Sequence, residues 1–383
     1  MPARSMLVVR GRSSAIRKVT NALLGLALLG TGGAWAPAVA VTFSQTVIDA
    51  RGPSQAWGKA VGDLNGDGRT DIVIGSRNGG LYWYQNPGWT KRRIAGTQIQ
   101  EDMDVVDLDR NGRRDIVAVV TGGITWFAQT GGSWSPRAIV RGRELHDVEV
   151  RDLDGDGKLD LVARNQGPSG NQLYLWRQVS LTSWQASSIR LPEGGEGLRA
   201  TDIDRDGKPD LVVGKYWLKN NSSRGRFSFA RYLYGGGAAA NGYIAVGDVN
   251  RDGREDIVVS PAEPAGRRHD VSWFEAPVQR TGRWIEHVLE RNVESVVHFC
   301  GIADFDRNGQ SDIVTAMTQK GGNPKIKVYM NISNRNAAGS TATVADTSSH
   351  SMKLLVVDGR PSLVGADYAN PGATPIRLWS ARP

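Results

Sequence analysis

The sequence contains almost no cysteine and few histidines. Cys300 is the only cysteine among 383 residues, and five histidines are present. A single thiol cannot form a disulfide within the chain, although exported proteins often depend on such crosslinks. The chain also lacks a nucleophile elbow, an H-E-x-x-H motif and a phosphate-binding loop. The sequence therefore excludes the enzyme classes that depend on those three motifs.

Residues 1–40 have the pattern of a secretory signal peptide. Five basic residues come first, an apolar stretch follows at 22–30, and Ala38-Val39-Ala40 is typical of a cleavage site. An uncleaved membrane anchor is the alternative, because residues 22–41 carry no charge. Cleavage predicts a secreted protein, extracellular or periplasmic, without a membrane span. No cysteine follows the cleavage site, so a bacterial lipid anchor is not expected.

Without residues 1–40, the chain carries no large excess of positive charge. The formal net charge is +8, but five of the 47 basic residues and none of the 39 acids lie in residues 1–40, which leaves +3. No basic motif interleaved with aromatic residues, of the kind that binds RNA or DNA, is present. We therefore expect no nucleic-acid partner.

What the sequence has in abundance is an internal repeat. The stretch VGDLNGDGRTDIVIG at 61–75 recurs in five further near-copies. The intervals between copies are 44 to 56 residues, and roughly 40–50 residues is the length of a four-stranded propeller blade. The first aspartates of the six copies are Asp63, Asp107, Asp152, Asp202, Asp248 and Asp304.

Each copy opens with an acidic stretch of nine residues, and we name these stretches loops 1 to 6 in chain order. Asp or Asn stands at positions 1, 3 and 5, Gly at position 6 and Asp at position 9, as in a calcium loop, but a β-branched run follows instead of a helix. Without a cation the carboxylates would repel one another. The pattern therefore predicts calcium at up to six sites, each holding two strands together. Simple Asx/Gly turns are the alternative.

The predicted calcium ligands include the backbone carbonyl of the seventh residue of each loop. Loop by loop they are Asp63, Asn65, Asp67, Arg69 and Asp71; Asp107, Asp109, Asn111, Arg113 and Asp115; Asp152, Asp154, Asp156, Lys158 and Asp160; Asp202, Asp204, Asp206, Lys208 and Asp210; Asp248, Asn250, Asp252, Arg254 and Asp256; Asp304, Asp306, Asn308, Gln310 and Asp312.

A seventh copy of the repeat, at 354–367, has kept its strand pattern and lost most of its acids. Aligning Gly359 with Gly68 places Leu354 at the position of Asp63 and Ser362 at that of Asp71. We read this copy as a blade without an ion. An aromatic recurs in the strand-like segment after each loop, where blade-to-blade packing is the expected role: Trp83, Trp126, Trp176, Trp217, Trp273, Tyr329 and Trp379.

The last repeat ends before it can supply its outer segment, and the start of the mature chain offers a replacement. In five repeats the outer segment pairs an aromatic with an apolar or aromatic residue five positions later, and Phe43 and Ile48 have the same spacing. The predicted fold class is therefore all-β: a seven-bladed β-propeller of four-stranded blades. It forms a single domain at 41–383 whose ring is closed by the N-terminal strand at 42–49. An open solenoid is the alternative.

The repeats resemble the FG-GAP/VCBS family, the calcium-loop propeller repeats of integrin α-chain heads and of many bacterial secreted proteins. The resemblance rests on the D-x-[DN]-x-[DN]-G-x-x-D core of loops 1 to 6 and covers nearly the whole mature chain. It implies a propeller that holds calcium in these loops. It does not imply one function, because the same propeller occurs in lectins, adhesins, polysaccharide lyases and sugar dehydratases.

Polar residues also recur six positions before each first loop aspartate, where the innermost strands begin. We expect this level of the ring to line the mouth of the central channel, with Asp102, Asp104, Asp147 and Glu149 close by. The ligand-binding candidates are Trp57, Glu101 and Glu196, and the candidates for proton transfer are His146, His298, Tyr243 and Arg199, the last as the partner of a substrate carboxylate. Satisfied polar residues beside a wet channel are the alternative. Cys300 lies on an apolar stripe and is predicted to be a buried thiol.

The function predicted from these features is a secreted, monomeric binding module for an extracellular glycan or protein. A polysaccharide lyase, or a related sugar-acting enzyme with its site at the channel mouth, is the second reading. An adhesion scaffold whose loops bind protein is the third.

Overall fold

The computed structural model describes residues 41–235, 241–262, 266–294, 296–318, 323–332, 340–366 and 372–382. The predicted signal peptide at 1–40 lies outside these residues. Within them, 28 strands form seven antiparallel sheets of four strands each, and one short 3₁₀-helix spans Gly167–Asn171. The prediction of a seven-bladed, all-β propeller is confirmed.

Blades 1 to 3 each follow the same course from the innermost strand outward. Blade 1 has β2 Gly58–Gly62, β3 Asp71–Gly75, β4 Leu81–Gln85 and β5 Thr90–Ala95. Blade 2 has β6 Ile99–Val106, β7 Asp115–Val120, β8 Gly123–Gln129 and β9 Trp134–Arg141. Blade 3 has β10 Asp147–Arg151, β11 Asp160–Arg164, β12 Gln172–Ser180 and β13 Ser183–Arg190.

Blades 4 to 6 repeat this order, and blade 7 departs from it in one strand. Blade 4 has β14 Leu198–Thr201, β15 Asp210–Val213, β16 Tyr216–Asn220 and β17 Phe229–Leu233. Blade 5 has β18 Gly242–Gly247, β19 Asp256–Pro261, β20 Arg268–Glu275 and β21 Ile285–Glu294. Blade 6 has β22 Val297–Ala303, β23 Asp312–Met317, β24 Ile326–Met330 and β25 Ser340–Ala345. Blade 7 has β26 Lys353–Val357, β27 Arg360–Ala366, β28 Thr374–Arg382 and β1 Thr42–Gly52.

The N-terminal strand closes the ring as predicted. β1 pairs antiparallel with β28, from Thr42 opposite Arg382 to Gly52 opposite Thr374. The Phe43 ring packs edge-on against Phe305 of blade 6, with centroids 5.5 Å apart. Blade 7 thus combines strands from both ends of the described chain, and its outer edge is the N-terminal strand.

The core lies between neighbouring blades. Apolar runs such as Ile72-Val73-Ile74 are buried on both faces, because each second strand packs against the blade on either side. The recurring aromatics of the third strands are buried, with Trp126, Trp217 and Trp273 fully inaccessible to solvent. Their predicted packing role is confirmed. Cys300 is buried as well, among the apolar residues between blades 5 and 6.

Blade 7 corrects the alignment of the seventh copy. In blades 1 to 6 the residue before the first loop aspartate pairs with the ninth loop residue, as Gly62 does with Asp71. In blade 7 Leu355 pairs with Ser362. Ser362 therefore occupies the position of Asp71, as predicted, but Val356 and not Leu354 occupies that of Asp63. The hairpin around Gly359 is two residues shorter than loop 1, so aligning the glycines shifted the inner strand by two positions.

Among the described residues, no helix has the length and apolar character needed to cross a membrane.

Candidate functional site

Loops 1 to 6 connect the first and second strands of blades 1 to 6 and have one backbone conformation. The fourth and sixth residues of each loop have positive φ, for example 77° at Gly66 and 81° at Gly68 in loop 1. Glycine adopts this conformation at no steric cost, which explains why it stands at position 6 in every copy. The first aspartate accepts a hydrogen bond from the backbone N–H of that glycine, at 2.7 Å between Gly68 N and Asp63 Oδ2. The first carboxylate is thereby oriented before any ion is considered.

The ninth aspartate of each loop is a structural clamp. Asp71 is fully buried, and its carboxylate accepts hydrogen bonds from Leu64 N at 3.0 Å and from Asn86 N at 2.8 Å. The other five loops repeat both bonds. Burial, with smaller contributions from neighbouring acids, raises the pKa of Asp160 and Asp256 to about 7. This position therefore joins three strands of the blade whether or not a cation is bound.

Four loops bring three carboxylates close enough to share one cation. In loops 2, 3, 4 and 6, carboxylate oxygens from three aspartates lie within 4.8 Å of one another. Loops 1 and 5 carry asparagine at the third position, and there the amide of Asn65 or Asn250 donates to the aspartate two residues on, at 3.1 and 3.0 Å. An all-oxygen donor set of this kind fits Ca²⁺. Three of the predicted carboxylate ligands are thus close together in each of these four loops, and calcium binding itself stays a prediction.

Loop 4 differs from the other loops because a lysine side chain contacts two of its aspartates. The Lys219 ammonium, from β16, contacts Asp204 Oδ2 and lies 2.9 Å from Asp206 Oδ2. Burial would lower the pKa of Lys219, but the two aspartates outweigh it and raise the pKa above its ordinary value. Among the described residues, Lys219 is the only side-chain cation that reaches two carboxylates of one loop. The lysine thus bridges two acids of loop 4, whereas the side-chain cations at loops 3 and 5 contact only one loop acid each.

The channel-mouth residues predicted from the sequence do converge. His146 Nε2 lies 3.5 Å from Glu101 Oε1 and 3.3 Å from Glu196 Oε2, and its Nδ1 lies 3.0 Å from Asp147 Oδ1. Burial would lower the pKa of His146, but Asp147 and then Glu101 reverse this and hold it well above its ordinary value. A charged imidazolium therefore joins blades 2, 3 and 4.

The other half of the mouth is aromatic and contains a residue that sequence reasoning missed. His350 stacks on Trp57 at 5.1 Å between ring centroids, lies 4.9 Å from the His298 ring and places Nδ1 3.7 Å from Glu101 Oε2. The Tyr243 ring lies 5.7 Å from that of His298. His350 stands six residues before Val356, so the correct alignment of the seventh copy would have found it. All seven blades contribute to this ring of side chains.

The channel below the mouth is lined by paired charges. Arg199 Nη1 lies 3.3 Å from Glu149 Oε1, and Arg151 bridges Glu149 and Asp104 at 3.1 and 2.8 Å. Burial raises the pKa of Glu149 to about 7 against the opposing effect of Arg199 and Arg151. Arg199, predicted to meet a substrate carboxylate, is thus already in contact with a carboxylate of its own chain.

The mouth leaves little room. The cavity between Glu101, His146, Arg199 and Tyr243 holds only about 20 Å³, and one water molecule needs roughly 10–15 Å³ by the same measure. His146, Glu196 and His298 are each at most 5% exposed. His146, Glu196 and His298 are therefore closed off within the ring, whereas Trp57, Glu101 and Tyr243 are only partly buried.

A larger cleft lies elsewhere, between blades 1 and 2. It measures about 580 Å³ and is lined by loop 1, Trp83, Trp134 and arginines of both blades, which is within the roughly 300–1,000 Å³ typical of ligand sites. At the blade boundary, Gln129 Nε2 donates to the Leu64 carbonyl at 2.9 Å. Sequence reasoning missed this cleft, because its residues come from different repeat positions.

The comparisons with known proteins agree with this architecture. Three consecutive stretches, 63–118, 107–163 and 152–213, match the FG-GAP-like repeat. No curated protein matches the chain. A lectin of Agrocybe aegerita that recognises non-reducing terminal N-acetylglucosamine is 18% identical, with a TM-score of 0.52 over 75% of this chain and 80% of its own.

Two further similar structures are of one protein, BBS1N in complex with ARL6DN, soaked with mercury and with lead. Both are 10% identical and cover 88% of this chain and 95% of their own, with TM-scores of 0.54 and 0.51. At these identities the similarity shows the fold alone. The chain is thus a seven-bladed β-propeller in which three consecutive repeats, within 63–213, match the FG-GAP-like repeat.

Proposed function

We propose that the chain is a secreted, calcium-stabilised β-propeller that acts as a binding module for an extracellular carbohydrate or protein. The observation that carries the proposal is the contrast in access: His146 and His298 are buried at the channel mouth, where the cavity holds about 20 Å³, whereas a cleft of about 580 Å³ is open between blades 1 and 2. The fold-level similarity to a lectin is in keeping with a binding role.

The geometry favours binding over the lyase reading for two reasons. A general base must come within about 3 Å of the proton that it abstracts, and no substrate carbon can approach His146 in a cavity of about 20 Å³. Burial, followed by Glu101 and Glu196, also raises the pKa of Tyr243 well above its ordinary value, so the tyrosinate that a lyase would use as base is disfavoured.

The clustered acids of the loops are the reason for including calcium in the proposal. Loops 2, 3 and 6 each gather three carboxylates, with no side-chain cation bridging two of them among the described residues. A bound Ca²⁺ would relieve their repulsion and fix the turn between the first two strands. The rigid blades would then hold the surface clefts in place for a ligand.

A glycan array and a set of immobilised extracellular proteins, each probed with and without calcium, test the binding role. Binding to at least one defined ligand is expected, and it should weaken in chelator. The lyase reading is tested in parallel by the ultraviolet absorbance of unsaturated ends on uronic-acid polysaccharides. Turnover of any of these polymers that is lost in His146→Gln would overturn the proposal in favour of an enzyme.

A further inference from the structure

The cleft between blades 1 and 2 is strongly basic. Four arginines line it: Arg92, Arg93, Arg113 and Arg114. The only acid among its lining residues is Asp63, and Gly66 N and Gly68 N already donate to that carboxylate, both at 2.7 Å. The cleft therefore carries a clear excess of positive charge.

These four arginines form no ion pair with any described residue. Some arginines elsewhere do meet acids of the chain, as Arg151 meets Asp104 at 2.8 Å. The outer strands of blades 1 and 2, β5 and β9, contain basic residues and no acid. The corresponding strand of blade 5, β21, carries Glu286, Glu290 and Glu294. The outer strands beside the cleft therefore offer no carboxylate to its arginines.

Flat apolar surface lies beside these charges. Trp83 and Trp134 both line the cleft, and the Arg92 guanidinium lies over the Trp83 ring at 5.4 Å from its centroid. Gly131 and Gly132 line it as well and contribute no side chain. The cleft therefore offers indole rings and guanidinium groups within one open volume.

We infer that this cleft binds an acidic polysaccharide, an inference that rests on the proposed binding function and names its ligand class. Guanidinium groups make bidentate contacts with carboxylate or sulfate oxygens, and arginine is better suited to this than lysine. A sugar acid presents an anionic group and an apolar ring face in a single residue, which matches arginine beside tryptophan. An acidic peptide matches the charge but offers little apolar surface to the indoles.

The test uses the full mature chain and two matched double variants. Arg93→Gln/Arg114→Gln removes two charges from the cleft, and Arg137→Gln/Arg141→Gln removes two from the outer strand of blade 2, outside the cleft. The probes are polygalacturonate, a heparin-type sulfated glycan, neutral dextran and polyglutamate, titrated by calorimetry. We expect an acidic glycan to bind, its affinity to fall with added salt, and the cleft variant alone to lose roughly tenfold or more, as expected for lost charge-assisted hydrogen bonds.

Each other outcome overturns the inference in a distinguishable way. Equal losses in both double variants would show nonspecific attraction to a basic surface. Binding of polyglutamate but of neither acidic glycan, lost in the cleft variant, would assign the cleft to an acidic protein. If a neutral glycan bound equally well to the wild type and to the cleft variant, the proposed binding function would be retained, but the cleft would not be its binding site. Binding to none of these probes, nor to any ligand on the array, would reject both.

Discussion

The channel mouth and the cleft between blades 1 and 2 are both convergent, polar and built from several strands, yet they differ in how their charges are balanced. At the mouth, His146 is surrounded by Glu101, Asp147 and Glu196, and the space left is about 20 Å³. In the cleft, four arginines have no acidic partner among the described residues and face about 580 Å³. Convergence alone therefore does not mark a binding site, and we propose that charge without an internal partner, next to open space, is the better guide.

The loops show the same difference on a smaller scale. In loop 4 the Lys219 ammonium contacts the acids of the loop. In loop 2 Asp107, Asp109 and Asp115 lie close together, and no side-chain cation among the described residues bridges them. Lys219 stands one residue before Asn220, whose backbone N–H donates to the ninth aspartate of loop 4. In blade 2 the equivalent N–H belongs to Gln129, so the residue that corresponds to Lys219 is Ala128. A cation from solvent is expected to serve loop 2 and to be least needed in loop 4.

The largest expected effect is at the mouth. Asp147→Asn removes the negative charge that lies 3.0 Å from His146 Nδ1, and the remaining side-chain oxygen can still accept from Gly197 N, which donates to Asp147 at 2.8 Å. Breaking a buried ion pair by removing one partner costs about 3–5 kcal/mol in the free energy of unfolding. Urea denaturation of the wild type and of Asp147→Asn measures this difference in the free energy of unfolding. A loss below about 1 kcal/mol would show that the ring at the mouth is not a structural ion network.

The pH dependence of this loss sharpens the comparison. His146 has a raised pKa in the fold, so its contribution is complete below its unfolded pKa of about 6.5 and is lost as pH rises through the folded value. Burial would raise the pKa of Asp147, but His146 lowers it overall, so its contribution is present above about pH 4 and lost as pH falls through the folded value. The destabilisation by Asp147→Asn should therefore peak between about pH 4 and 6.5. A loss that grows steadily up to pH 9 would contradict this assignment.

Removal of calcium is expected to have the next largest effect on stability. A ligand at 100 times its Kd stabilises the native state by about 2.7 kcal/mol per site, and extracellular calcium modules often have Kd values of about 10⁻⁴–10⁻³ M. We expect the melting temperature to fall in chelator and to recover with millimolar calcium but not with sodium. Identical melting curves in chelator and in calcium, together with no calcium by elemental analysis, would reject the metal role of the loops.

Lys219→Met gives the smallest effect and is specific to loop 4. Without the ammonium, loop 4 keeps three clustered carboxylates with no bridging side-chain cation, as loop 2 does, so calorimetry should detect one more calcium per chain. Lys208→Met is the matched control, because its ammonium donates to the Ser222 carbonyl at 3.0 Å and not to the loop acids. An unchanged calcium number in Lys219→Met would show that the lysine does not substitute for the ion.

Repetition explains how much could be predicted from the sequence. Six copies of an acidic loop fixed the number of blades, and the spacing of Phe43 and Ile48 revealed the closing strand. His350 was missed because blade 7 has a shorter hairpin and no acids to align on. Lys219 was missed because it reaches loop 4 from the third strand.

The cleft arginines escaped prediction for a related reason. Arg93 belongs to the outer strand of blade 1 and Arg114 to the loop of blade 2, so neither a motif nor a shared repeat position connects them. That the mouth residues meet was predictable from their shared level in the ring. That they neutralise one another was not, because it depends on distances of 3–4 Å between side chains of different blades.

The most direct test measures stability and acidic-glycan affinity side by side for Asp147→Asn and Arg93→Gln/Arg114→Gln. The account predicts opposite outcomes: the mouth variant loses stability and, at a temperature where it is folded, keeps the wild-type affinity, whereas the cleft variant keeps stability to within about 1 kcal/mol and loses roughly tenfold or more in affinity. An acidic glycan whose binding is abolished by Asp147→Asn in the folded protein and untouched by the cleft variant would place the binding site at the channel mouth and contradict the account.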